Sequence, residues 1–145
     1  MVDDGSNEAS VIVADGPLVG PVLGRVVGML AARAECPIDR LDDALLVADA
    51  VAARAASFSE DGRVHVRVAA EIGCIEMLVG PLRPDGAGGL VESAALPGVG
   101  NVLERVADRL EYERDDDDAA EYLRIRVGFD VQQQSMIDRM GSDVS

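Results

Sequence analysis

The feature that most constrains this chain is a change of hydrophobic period at Glu60-Asp61-Gly62. Before it, Leu41, Leu45, Ala48, Ala52 and Ala55 recur at helical spacing. After it, Val64, Val66 and Val68 alternate with Arg63, His65 and Arg67. A period of about 3.6 buries one stripe of a helix, and a period of two buries one face of a strand. A chain that carries both in succession must lay helices against a half-buried antiparallel sheet. The spacing predicts a helix over Arg40–Ser57, capped by Asp39 with Asp42 as a capping-box partner. A strand follows over Arg63–Ala70, then a tight connection at Ile72-Gly73. Cys74–Leu82 is more uniformly apolar and is expected as a more central strand.

The rest of the chain extends this pattern. Ser10–Ala14, with three β-branched or apolar residues in a row, reads as a strand. Asp15-Gly16-Pro17 is a turn in which Asp15 is expected to cap a helix of about four turns carrying Leu18, Val22, Val26, Met29 and Leu30. Gly20, Gly24 and Gly28 each cost that helix roughly 1 kcal/mol against Ala. Their spacing either leaves a smooth stripe for close approach by another element or only reflects composition. Pro84–Gly89 reads as a flexible loop and Leu90–Leu96 as one or two helical turns. A second glycine loop, Pro97–Gly100, precedes a third helix opened by Asn101 and running through Val102, Leu103, Val106 and Leu110. Leu110–Arg114 and Glu121–Phe129 are expected as strands joined by the acidic turn Asp115–Asp118. The expected fold class is an α+β two-layer sandwich: a mixed, mostly antiparallel sheet with helices on one face. Residues 1–9 are expected to be a flexible N-terminus, 10–130 one domain, and 131–145 a polar tail with a short helix around Met136 and Ile137.

Composition decides which functions to set aside. The 145 residues include 13 Arg, no Lys and 27 Asp plus Glu, for a net charge of −14. That balance argues against direct nucleic-acid binding and against a polybasic membrane foot. Apolar residues are 48% and aromatics 3%, so the core must be built from Val, Leu, Ala and Ile. Asp3 and Asp4 stand where a signal peptide needs positive charge, and the apolar run Gly16–Ala32 is interrupted by Pro17, Pro21 and Arg25. The expected location is cytoplasmic, with Cys36 and Cys74 as buried reduced thiols. His65, between two arginines on an alternating strand, is expected on the surface. With one His and two distant Cys no metal constellation is expected, and Asp115–Asp118 lacks the spacing and glycine of a calcium loop.

Gly98-Val99-Gly100 before a helix is the kind of segment whose free amides and helix dipole attract phosphate. The chain has no Walker lysine and no dinucleotide fingerprint. The element order, an acidic residue in the middle of the second helix and two glycine loops flanking a short lid resemble the GHKL ATP-binding fold. Within it, the likeness is to the small anti-sigma-factor serine kinases of the RsbW/SpoIIAB kind, over about Ser10 to Phe129. Those proteins run strand, helix, a helix with an E-x-x-x-N motif, a hairpin, a D-x-G-x-G loop, a lid, a G-x-G loop with its helix, and a closing hairpin.

The resemblance implies roles position by position. Leu45–Ala53 stands against the family's L-A-V-x-E-A-x-x-N, so Asp49 takes the place of the catalytic glutamate and Ala53 that of the magnesium-holding asparagine. Asp49 otherwise reads as a solvated surface charge. For the adenine-binding aspartate two alignments stand. In one, Asp85, Gly86 and Gly88 supply the acceptor and glycines. In the other, anchored on Glu76–Val79, Gly80 falls at the aspartate position and the acceptor is lost. Gly98, Gly100 and Asn101 match the G-x-G loop and the start of its helix. The implied cofactors are ATP and Mg²⁺, yet Ala53 cannot bind a cation, and a field of −14 without lysine repels a free triphosphate. The expectation is therefore an RsbW-like regulator, an anti-sigma factor or partner-switching binder with weakened or lost kinase activity. Its expected partner is a sigma factor or an anti-anti-sigma protein, and the Gly- and Ala-lined first helix is read as a face for either that partner or a second copy in a homodimer. The alternatives are an active serine-protein kinase of the same family and a nucleotide-independent interaction domain.

Overall fold

The computed structural model describes residues 7–96, 98, 100–115 and 119–129. Strand β1 (Glu8–Ala14) leads into helices α1 (Val19–Arg33) and α2 (Ile38–Arg54), then a single 3-10 turn over Ala55–Phe58. Strands β2 (Arg63–Glu71) and β3 (Cys74–Leu82) form a hairpin, followed by helix α3 (Gly86–Ser93). Two short strands, β4 (Ala95–Leu96) and β5 (Gly100–Asn101), precede helix α4 (Val102–Val106) and the closing strands β6 (Arg109–Arg114) and β7 (Glu121–Gly128). The main sheet has the order β1-β2-β3-β7-β6 with every pairing antiparallel. The fold is the expected α+β sandwich, and its main sheet contains no parallel pair.

Alternation fixes which sheet face is buried. Val64, Val66, Val68 and Ala70 of β2, Ile75, Met77 and Val79 of β3, and Leu123, Ile125 and Val127 of β7 all face the helices. Against them α1 lays Val19, Leu23, Val27 and Leu30, and α2 lays Ala44, Val47, Ala48 and Val51. Each fully buried Leu, Ile or Met contributes ~1.5–3 kcal/mol. On the open face Arg124 of β7 bridges Glu76 of β3 and Glu113 of β6, and Arg126 pairs with Glu76 at 3.3 Å. Arg40 ties α2 to the far end of the sheet. Its Nε donates to the Gly128 carbonyl at 2.7 Å and its Nη2 to Asp108 at 2.7 Å.

Several local expectations need correction. Asp15 does not cap α1, which starts at Val19 after Leu18 with no side-chain cap, and α2 is entered from Pro37 with Asp39 already in its first turn. Strand β1 begins at Glu8, inside the segment read as a loose terminus. Helix α4 stops at Val106, because Leu110 is drawn into β6 opposite Ile125. His65 lies on the open face of the sheet as expected, partly covered, with its Nε2 2.8 Å from Asp61. The Arg63 amide and His65 hold the Asp61 carboxyl down at about 2. Cys36 and Cys74 are free thiols, partly rather than fully buried, and desolvation pushes the Cys36 thiol above its ordinary value. The expected tail helix at Met136–Ile137 and most of the acidic turn lie outside the described residues.

Two of the three glycines of α1, Gly20 and Gly24, face α2. A Cβ on Gly20 would lie 3.7 Å from Asp49 Oδ1 and 4.0 Å from Ala52 Cβ, and one on Gly24 would lie 3.9 Å from Leu45. Those are ordinary contacts, so the packing accepts a methyl there. At Gly28 a Cβ meets nothing within 4 Å. Gly28→Ala is therefore expected to raise stability by about 0.5–1 kcal/mol, read as a higher denaturation midpoint at unchanged slope. A loss of stability would mean that α1 needs the flexibility of glycine.

Candidate functional site

The segment read as the first glycine loop is a helix, and the cause lies on another element. Asp85 takes a left-handed conformation with φ +66 and turns the chain into α3. The Glu121 carboxylate, arriving from the start of β7, accepts from the Asp85 amide at 2.9 Å and the Ala87 amide at 3.1 Å. Arg114 closes the group with an Nη2 contact of 3.0 Å to Glu121. The Gly86 amide is satisfied by the Arg83 carbonyl at 2.7 Å. The Asp85 amide, helped by Arg114 and the Ala87 amide, holds the Glu121 carboxyl below the ordinary glutamate range against the opposing effect of burial. Amides that a phosphate would need are thus taken by the protein's own anion.

The missing side chains of this helix are filled space. A Cβ on Gly89 would stand 2.7 Å from the Phe58 ring, and one on Gly86 would stand 3.0 Å from Leu82 Cβ and the Phe58 carbonyl. Glycine here lets α3 close onto the 3-10 turn. Asp85 itself is exposed, beside Arg83, Pro84 and Phe58 in a shallow depression, while Gly88 is half-buried near Tyr112.

Gly98 and Gly100, with φ of +78 and +90, shape the turn between β4 and β5, and both are exposed. Pro97 and Val99, the other members of that loop, lie outside the described residues. Asn101 is the N-cap of α4. Its Oδ1 accepts from the Glu104 amide at 3.1 Å, and its Nδ2 donates to the Val91 carbonyl at 2.6 Å, which joins α4 to α3. Replacing it frees a capping amide and a helix-end carbonyl together. Asn101→Ala is expected to cost about 1–2 kcal/mol, measurable as a lower denaturation midpoint. An Asn101→Ala variant as stable as the parent would show that α3 and α4 are held by packing alone.

Asp49 lies on the outer side of α2, exposed, in a groove shared with α1. Gly20, Gly24, Leu45 and Ala48 form the floor of this groove, and Asp42 and Leu46 share its rim with Asp49. Its volume is about 540 Å³, and it contains neither Gly98 nor Gly100. Ala53, one turn beyond Asp49, is exposed. Gly80 sits at φ +146, where a Cβ would meet Tyr122 Cδ2 at 2.6 Å and the Glu121 carbonyl at 2.7 Å. In the alignment that puts Gly80 at the aspartate position, no side chain fits there unless its neighbours move; in the other, the acceptor is Asp85, which is exposed.

Of the residues singled out from sequence, Asp85 and Gly86 come together with Glu121, and Asn101 joins the same end of the helical layer through Val91. Asp49 belongs to a different surface. Glu121 escaped the sequence reading, although a signal was present. It shares parity with Leu123, Ile125 and Val127, so the alternation of β7 points its carboxylate inward, where a charge must be paired. Among the described residues no group of three or more His, Cys, Asp or Glu is placed to hold a metal ion. No protein-family model matches the chain, and no curated protein is significantly similar to it. The residues at the positions implied for Mg-ATP do not fit that ligand. An alanine stands at the amide position, the α3 amides are occupied by Glu121, and the adenine acceptor is either lost at the filled Gly80 position or left to the exposed Asp85.

Proposed function

We propose that this chain works by binding proteins, as an RsbW-like anti-sigma or partner-switching regulator whose nucleotide binding and kinase activity are weakened or lost. One contrast carries this reading. The elements follow the order that the RsbW-like resemblance implies, from β1 through the α1–α2 pair to the closing β6–β7 hairpin. Yet the chemistry-bearing positions offer an unsupported Asp49, a methyl at Ala53 and a filled space at Gly80. A scaffold that keeps its order while losing its cation ligand retains surfaces rather than phosphoryl transfer. The net charge of −14 suits a basic region of a sigma factor, since complementary fields steer association and suppress wrong partners. Cytoplasmic residence belongs to this reading. The structure's own contribution to location is that no described helix is long and apolar enough to cross a membrane.

Two measurements test the proposal. Titration calorimetry with Mg-ATP is expected to give no binding tighter than about 0.1 mM, roughly −5.5 kcal/mol. Tighter binding that depends on Mg²⁺ would restore the active-kinase alternative. Affinity capture from the source organism is expected to recover a sigma factor or an anti-anti-sigma protein. Recovery of neither would leave an interaction domain of another kind.

A further inference from the structure

We propose that the groove between α1 and α2 seats a cationic amphipathic helix of a protein partner. The proposal rests on the reading of the chain as a protein-binding regulator and names the chemistry of one docking surface. The floor of the groove is apolar, built from Gly20 and Gly24 on one helix and Leu45 and Ala48 on the other. Leu46, 51% exposed, adds an unburied apolar side chain to its edge. An amphipathic helix laid in such a groove buries both surfaces at once.

Charge selects the occupant. Asp42 and Asp49 stand on the rim, and among the described residues neither takes a hydrogen bond or an ion pair, although Arg40, Arg67, Arg114, Arg124 and Arg126 are all engaged elsewhere. A lysine or arginine flanking the apolar stripe of an incoming helix would meet these carboxylates at the edge of a surface being dried, where ion pairs are screened least. A second copy of this chain would bring the same two carboxylates and a further charge of −14, so it is the wrong occupant.

The glycines supply an independent argument. The contacts a Cβ would make at Gly20 and Gly24 are no closer than 3.7 Å, so alanine would fit the folded chain and would favour the helix. At these two positions glycine leaves the groove deeper than alanine would.

The test uses the full chain and a fluorescein-labelled Leu/Lys amphipathic peptide of about 18 residues, long enough for five helical turns. Binding is read by anisotropy at about 0.15 M salt, where exposed charges are well screened. Expected are saturable binding, at least a tenfold loss in Asp42→Asn/Asp49→Asn, and a clear loss in Gly20→Ala/Gly24→Ala despite a higher melting temperature. Glu71→Gln/Glu111→Gln, which removes two exposed charges elsewhere, is expected to bind like the parent. Equal loss in both charge-removing pairs, or binding indifferent to the groove variants, would overturn the proposal. So would equal binding of a Lys/Ser peptide with no apolar stripe. If a sigma or anti-anti-sigma protein is captured equally well by the parent and by the groove variants, the groove is refuted while the regulator reading stands. If the groove binds the peptide and neither protein is captured, the reverse holds.

Discussion

Glu121→Ala is expected to destabilise the protein by about 2–4 kcal/mol, because it strips the Asp85 and Ala87 amides of their acceptor and leaves the Ala87 amide buried and unpaired. The loss should concentrate in α3, where hydrogen exchange of Ala87 and its neighbours would accelerate before the sheet is affected. Glu121→Gln retains one acceptor oxygen but turns an NH₂ toward an amide donor, so an intermediate loss is expected. The pH dependence follows from the direction of the shift. The folded carboxyl lies below the ordinary glutamate value, so its contribution is complete above about pH 4.3 and disappears as pH falls through the folded value. Denaturant titrations of parent and Glu121→Gln should therefore converge in acid and diverge toward neutrality. Parallel pH profiles would show that the carboxylate is not what holds α3.

Gly80→Ala is expected to be at least as damaging, at about 3–5 kcal/mol, with a melting temperature lower by about 10 °C or more. Two causes add. At φ +146 the backbone lies where residues with a side chain rarely go, and the new methyl would press on the Tyr122 ring and the Glu121 carbonyl. The carbonyl cannot yield without moving β7, which carries the α3 cap at the same residue. Gly62→Ala separates the causes. Its φ is +76 and no atom lies within 4 Å, so only conformational strain of about 1–2 kcal/mol is expected. Losses of similar size at the two sites would remove the steric argument.

How much of this was legible in the sequence depends on the distance over which each feature is set. The β2–β3 hairpin, β7 and most of α2 follow from periodicity, because the same alternation that patterns the sequence decides which side chains are buried. The Gly20–Gly24–Gly28 spacing left open whether α1 carries a smooth face; Gly20 and Gly24 do lie toward α2, but at distances that would also admit alanine. The candidate site was legible only in part. Asp49, Asp85 and Asn101 could be named from their positions, but which of them share a surface could not. Asp49 went to the α1–α2 groove, and Asp85 and Asn101 to the α3 end of the helical layer.

By itself the sequence determined the class of fold, the identity of the core and the acid surface, since each depends on neighbours a few residues apart or on composition. Tertiary structure alone decided that a glycine-rich stretch over Pro84–Gly89 becomes the start of a helix. Its helix-start amides are satisfied by a carboxylate 34 and 36 residues away, and the space its glycines leave is filled by Phe58. Local propensity penalises glycine for the backbone entropy lost in a helix, and at α3 a buried charge-assisted cap and close packing outweigh that penalty.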